Sequence, residues 1–173
     1  MMQMLAAGGL EPVTDNQRVA DHNNPAGYLE FEPVKKLKED SSWLPSARGK
    51  VIKVISQLLF DLPRTERYAI VLMQRELREV LASQEKMLAR LGHKGAPHDM
   101  MRLAYQNHLR KLAIWLQSQS HMRVCRVDYS SVVANALSNA HHIKEFLGLP
   151  IDVAQMITVV DESLYRHRSP VVQ

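Results

Sequence analysis

Apolar residues along this chain fall into short runs and helical stripes separated by polar, turn-rich stretches. Met2 to Ala7 reads as the end of a helix stopped by Gly8-Gly9, because glycine readily takes the left-handed conformation that follows a helix C-terminus. Glu11 to Gly27 is polar and punctuated by Pro12, Asp15, Asn23-Asn24-Pro25 and Gly27, which predicts a loop. Glu32 to Asp40 fits a short helix. Lys50 to Ile55 is short and rich in β-branched residues, which favours a strand. Tyr68 to Met73 makes a better one, and its nearly continuous apolar character predicts cover on both faces, as in a parallel sheet held between helices.

Arg75 to Leu91 follows directly and sets Leu77, Val80, Leu81, Leu88 and Leu91 on one helical face, so strand and helix form a βα unit. Beyond a loop from Gly92 to Pro97, the longest helix carries Met101, Tyr105, Leu109, Leu112 and Leu116 at core spacing. His121 to Asp128 alternates and predicts a strand. It leads into a helix over Ser130 to Leu147 with a stripe of Val133, Leu137, Ile143 and Leu147, stopped by Gly148-Leu149-Pro150. Asp152 with Gln155 matches a capping box for a last helix to about Val160. Strands alternating with helices predict an α/β fold with a mostly parallel sheet flanked by helices. Three strands are few for this length, which suggests a missing central element.

Composition narrows the picture. With 173 residues and 46% hydrophobic content the chain suffices for one core, hence a single domain over 1–173. Its 22 basic and 18 acidic residues are interspersed, so the net charge of +4 admits an anionic ligand but describes a solvated surface. Lys35-Lys36-Leu37-Lys38 adjoins Glu39-Asp40 and is too short and mixed for a nucleic-acid patch. Apolar runs are too short for a membrane span. Cys125 is the sole cysteine, which rules out an intrachain disulfide, suits a reducing, cytoplasmic setting and reads as a core thiol. His141-His142 are neighbours on a helix and diverge around it, so no metal site is expected.

Three segments in order carry a family likeness: Asn24-Pro25-Ala26-Gly27-Tyr28-Leu29-Glu30-Phe31-Glu32-Pro33, Glu79-Val80-Leu81-Ala82-Ser83-Gln84 and Ser163-Leu164-Tyr165-Arg166, with Arg75 just after the apolar strand and Ser83 eight residues on. Together they resemble bacterial sulfotransferases, over nearly the whole chain. The resemblance implies a fold like that of P-loop kinases and the co-substrate 3'-phosphoadenosine 5'-phosphosulfate, from which a sulfuryl group passes to a hydroxyl or amine acceptor. It further implies two phosphate sites. One is a glycine-rich loop between the first strand and helix, where backbone N–H groups and the helix N-terminus cradle the 5'-phosphosulfate. The other holds the 3'-phosphate with an Arg at a strand end and a Ser on the next helix.

By that resemblance Arg75 and Ser83 form the 3'-phosphate site, the Arg giving a planar fork and the Ser a hydroxyl donor. The competing reading pairs Arg75 with a nearby Glu and leaves Ser83 merely exposed. Glu30 becomes the candidate base for the acceptor proton, with Glu32 second, and surface carboxylates as the plain alternative. Lys53 is a candidate donor contact, although Ile55 stands where cytosolic relatives have a catalytic His two residues after the Lys. Arg166 and Arg168 are candidates to close over the nucleotide. The first site finds no counterpart: Met1 to Leu5 resembles the helix after the loop, so the expectation is an N-terminally truncated, inactive form lacking the first strand and loop. Two further readings stand beside this one: a residual 3'-phosphonucleotide binder, and a non-enzymatic interaction protein whose sheet takes a strand from another chain and which is therefore an oligomer.

Overall fold

Two parallel strands form the centre of the computed structural model, which describes residues 1–18, 20, 27–90, 92 and 97–164. β1 (Tyr68–Gln74) runs beside β2 (Met122–Asp128), with Tyr68 opposite Met122 and Gln74 opposite Asp128. Parallel neighbours need a crossover, and here it is a helical hairpin of α2 (Leu77–Arg90) and α3 (His98–Gln117). The expected α/β character is present with a parallel sheet, but among the described residues that sheet has two strands.

Side chains of the two strands alternate between two cores, as period-two geometry requires. On one face Cys125 and Val127 pack with α1 (Met2–Ala7), α4 (Tyr129–Ala134), α5 (Ala136–Leu147) and α6 (Val153–Thr158) through Met4, Leu5, Val132, Ala140, Ile143 and Met156. On the other, Met122 joins Leu112 and Leu116 of α3 and Leu37, Leu44, Leu59 and Leu62 from 3-10 turns. Gly8 lets the first core close: a Cβ there would sit 2.4 Å from Ile151 Cγ2.

Five sequence expectations change. Lys50 to Ile55 forms no strand: Lys50 belongs to a bend, and among the described residues Val51 alone makes a bridge, parallel, to Pro12. β1 has both faces packed as predicted, yet none of its residues is fully buried, since the edge away from β2 is unpaired in the sheet. The stripe over Ser130 to Leu147 breaks at Asn135, whose φ of −139° and ψ of 58° separate α4 from α5. Val132 and Ile143 consequently face the core, whereas Leu137 is exposed. In α3, Leu112 and Leu116 are buried but Leu109 is exposed, while its neighbour His108 faces the turn over 56–61, bonding the Ser56 hydroxyl at 2.9 Å and lying against Phe60. The short helix predicted from Glu32 is a 3-10 helix ending at Lys36.

Candidate functional site

The carboxyl ends of parallel strands gather polar residues because the chain there leaves a buried strand for a helix. Gln74 and Asp128 are register partners at this end. Arg75 comes next and donates from Nε to Glu79 Oε2 at 2.9 Å, one turn into α2. Its Cζ also stands 5.0 Å from the centre of the Tyr129 ring, which opens α4. Glu79 is buried at 5% exposure, so the guanidinium is held by an acid that has left water. Asp128 caps α4 by accepting from the Ser131 N–H at 3.1 Å. The hydroxyl of Ser130 holds its carboxyl below the usual carboxylate range; burial and the nearby Glu79 push the other way without prevailing.

Ser83 is half-buried on α2, one turn beyond Glu79 and on the same side of the helix. Arg75, Glu79 and Ser83 therefore recur every four residues along one line from the strand end. Glu79 had no role in the sequence reading beyond the competing idea of an acid paired with Arg75, and that pairing is present. Its signal was the Arg75-x-x-x-Glu79 spacing in a segment that begins a helix.

A second polar cluster joins residues distant in sequence. Lys53 Nζ donates to Glu30 Oε1 at 2.8 Å, and Arg18 donates from one terminal nitrogen to both oxygens of the same carboxylate, at 3.3 and 3.2 Å. Arg18 also lies over the Tyr28 ring, 3.5 Å from its centre. Two predicted residues, Glu30 and Lys53, are thus brought into contact, while Arg18 was missed because a lone Arg in a polar loop carries no pattern. Burial is the largest influence on Glu30 and pushes its carboxyl up, but the bonds from Lys53 and Arg18 together outweigh it and hold the group below its ordinary value. Glu30 is therefore ionised at neutral pH, the state a base requires, although two cations weaken its hold on a proton. Glu32 points elsewhere, accepting from Lys35.

Lys53 and Tyr28 line a cavity of about 880 Å³, together with the rest of residues 50–57 and Tyr68 to Met73 of β1. Cys125 is buried, and desolvation pushes its thiol up, away from nucleophilic character. No group of three or more His, Cys, Asp or Glu side chains suited to a metal ion is found among the described residues. No helix of the described residues is long and apolar enough to cross a membrane. Arg166, Arg168, Tyr165 and Asn24 to Ala26, all named above, lie outside the described residues.

No protein-family model matches the chain, and neither a curated protein nor a solved structure is similar to it.

Proposed function

We propose that this is a sulfotransferase-family protein, an α/β fold related to P-loop kinases, in which Arg75 and Ser83 engage the 3'-phosphate of 3'-phosphoadenosine 5'-phosphosulfate. An enzyme of this kind moves a sulfuryl group to a hydroxyl or amine acceptor. The observation that carries the reading is the place of Arg75: its guanidinium stands at the carboxyl end of a parallel strand, where α/β sheets take ligands, with Ser83 two turns along the same side of the following helix. Glu79 contributes by anchoring the fork through Nε, which fixes the plane in which the remaining N–H groups lie. Lys53 and Glu30 are the donor-contact and base candidates, already joined to one another. In such a role Lys53 turns from Glu30 toward the donor, leaving the carboxylate with Arg18 as its remaining cation and so raising its affinity for the acceptor proton.

Calorimetric titration tests the 3'-phosphate site directly. Adenosine 3',5'-bisphosphate is expected to bind at least tenfold more tightly than adenosine 5'-phosphate, since charge-assisted hydrogen bonds contribute about 1.5–3 kcal/mol each. Arg75→Lys keeps the charge but removes the fork, and is expected to erase that preference. Equal affinity for the two nucleotides, or an unchanged preference in Arg75→Lys, contradicts the assignment.

A further inference from the structure

We infer that Tyr129 makes the Arg75 site selective for a phosphate on the 3' rather than the 2' oxygen of the ribose, acting through the guanidinium and not on the nucleotide itself. The inference rests on the 3'-phosphate reading above and names the isomer that such a site takes. Strand register puts the two side chains together. β1 and β2 run parallel with Gln74 opposite Asp128, so the chain leaves both strands at the same level. Arg75 and Tyr129 are the next residues on each, and the Arg75 Cζ stands over the Tyr129 ring, 5.0 Å from its centre. A guanidinium within about 6 Å of an aromatic face is attracted by the ring quadrupole and can stack on it.

Both supports of the guanidinium are themselves anchored. Glu79 is 5% exposed and accepts from Nε at 2.9 Å. Tyr129 is the first residue of α4, a short helix fixed at three points. Asp128 caps it by accepting from the Ser131 N–H, Val132 is buried in the core, and the Asn139 amide donates to Ser131 O at 3.0 Å. A carboxylate at one edge limits rotation of the guanidinium in its plane, and a ring against one face limits its tilt. Phosphate recognition then falls to the terminal nitrogens, whose plane is set by two neighbours.

Selectivity follows from that restraint. The 2' and 3' oxygens of a ribose sit on adjacent carbons, and moving a phosphate from one to the other displaces it by more than a charge-assisted hydrogen bond tolerates. An arginine free to swing on its long stem follows the phosphate to either oxygen. One held at an edge and a face does not, and it gives up no further side-chain freedom when the matching isomer binds.

Calorimetric titration of the full chain with adenosine 3',5'-bisphosphate, adenosine 2',5'-bisphosphate and adenosine 5'-phosphate tests this. The unaltered protein is expected to bind the 3',5' isomer at least about tenfold more tightly than the 2',5' isomer, as for one charge-assisted hydrogen bond lost. Tyr129→Leu is expected to shrink that ratio by about two- to tenfold, since it frees a rotamer-rich side chain. Tyr129→Phe keeps the ring and is expected to keep the ratio. A smaller folded fraction scales both affinities alike and does not move the ratio. Bisphosphates that bind no better than adenosine 5'-phosphate remove the phosphate site, and this inference with it. Bisphosphates that both bind better, without discrimination between them, leave the site standing and overturn the inference, as does an unchanged ratio in Tyr129→Leu or an equal loss in Tyr129→Phe. Side-chain NMR of the nucleotide-free chain gives an arm that holds even if Tyr129→Leu does not fold. There the Arg75 Nε–H is expected to show restricted motion that Tyr129→Phe retains, and motion like that of an exposed arginine overturns the proposal.

Discussion

Removing the Arg75 guanidinium exposes how much the candidate phosphate site depends on an internal ion pair. Glu79 is 5% exposed and Arg75 27% exposed, at a separation of 2.9 Å. Arg75→Ala leaves that carboxylate in the interior without its bonded cation, and with the Asp128 carboxyl as a like-charged neighbour. Breaking a buried pair from one side costs about 3–5 kcal/mol, and the partial exposure of Arg75 places this pair near about 3 kcal/mol. In a chain of this length that lowers Tm by about 6–12 °C, at roughly 2–4 °C per kcal/mol. Glu79→Gln alone costs less, because Arg75 can extend toward water. In the double variant the stranded charge is gone, so about 2 kcal/mol of the Arg75→Ala loss returns. Urea unfolding followed by circular dichroism measures all four proteins, with a constant slope required for the comparison. Strictly additive single effects, or an Arg75→Ala variant within about 0.5 kcal/mol of the parent, refute the reasoning. The cycle also governs the binding assay, since nucleotide affinity in Arg75→Ala/Glu79→Gln reports on the phosphate contact without an orphaned acid.

Gly8→Ala brings a methyl group within 2.4 Å of Ile151 Cγ2 and 2.7 Å of Met156 Cγ, both in the closed core. Overpacking of that kind costs about 1–3 kcal/mol, read as a lower urea midpoint, whereas Gly9→Ala meets no neighbour and suffers only from its positive φ of 101°. Glu30 gives a pH dependence. Its folded carboxyl lies below the ordinary value, so its contribution is fully present above the unfolded pKa and fades as pH falls through the folded one. Lys53→Met removes one of the two cations that overcome burial, so stability measured between about pH 3 and 6 should rise less steeply with pH than in the parent. An unchanged slope would mean that Arg18 alone sets the carboxyl.

Much of the secondary structure was legible because local patterns and tertiary context agree. β2 alternates apart from the adjacent Val124 and Cys125, Gly8-Gly9 ends α1, and Asp152 caps α6 by accepting from the Gln155 N–H. The departures come where a neighbour decides the outcome. Lys50 to Ile55 has strand composition but only one bridge among the described residues, so it stays outside the sheet. Asn135 splits a helix whose stripe looked continuous, and the Asn139 amide bridges the break by donating to Ser131 O and Asn135 O. No periodicity announces that. At the candidate site, Arg75 beyond the apolar strand was readable from order alone, and Glu79 from its four-residue spacing. The meeting of Glu30, Lys53 and Arg18 depends on a loop folding back over residues 50–55, which sequence spacing does not encode.

The proposed role of Arg75 and Ser83 is to bind the 3'-phosphate of a sulfonucleotide. Phosphorus NMR of adenosine 3',5'-bisphosphate tests it most directly, because the two phosphates give separate signals and each reports its own surroundings. Titrating in the protein should shift and broaden the 3'-phosphate resonance, with that change absent when Arg75→Lys/Ser83→Ala is used at the same concentration. A 3'-phosphate signal that stays put, or that moves equally with the variant, contradicts the account.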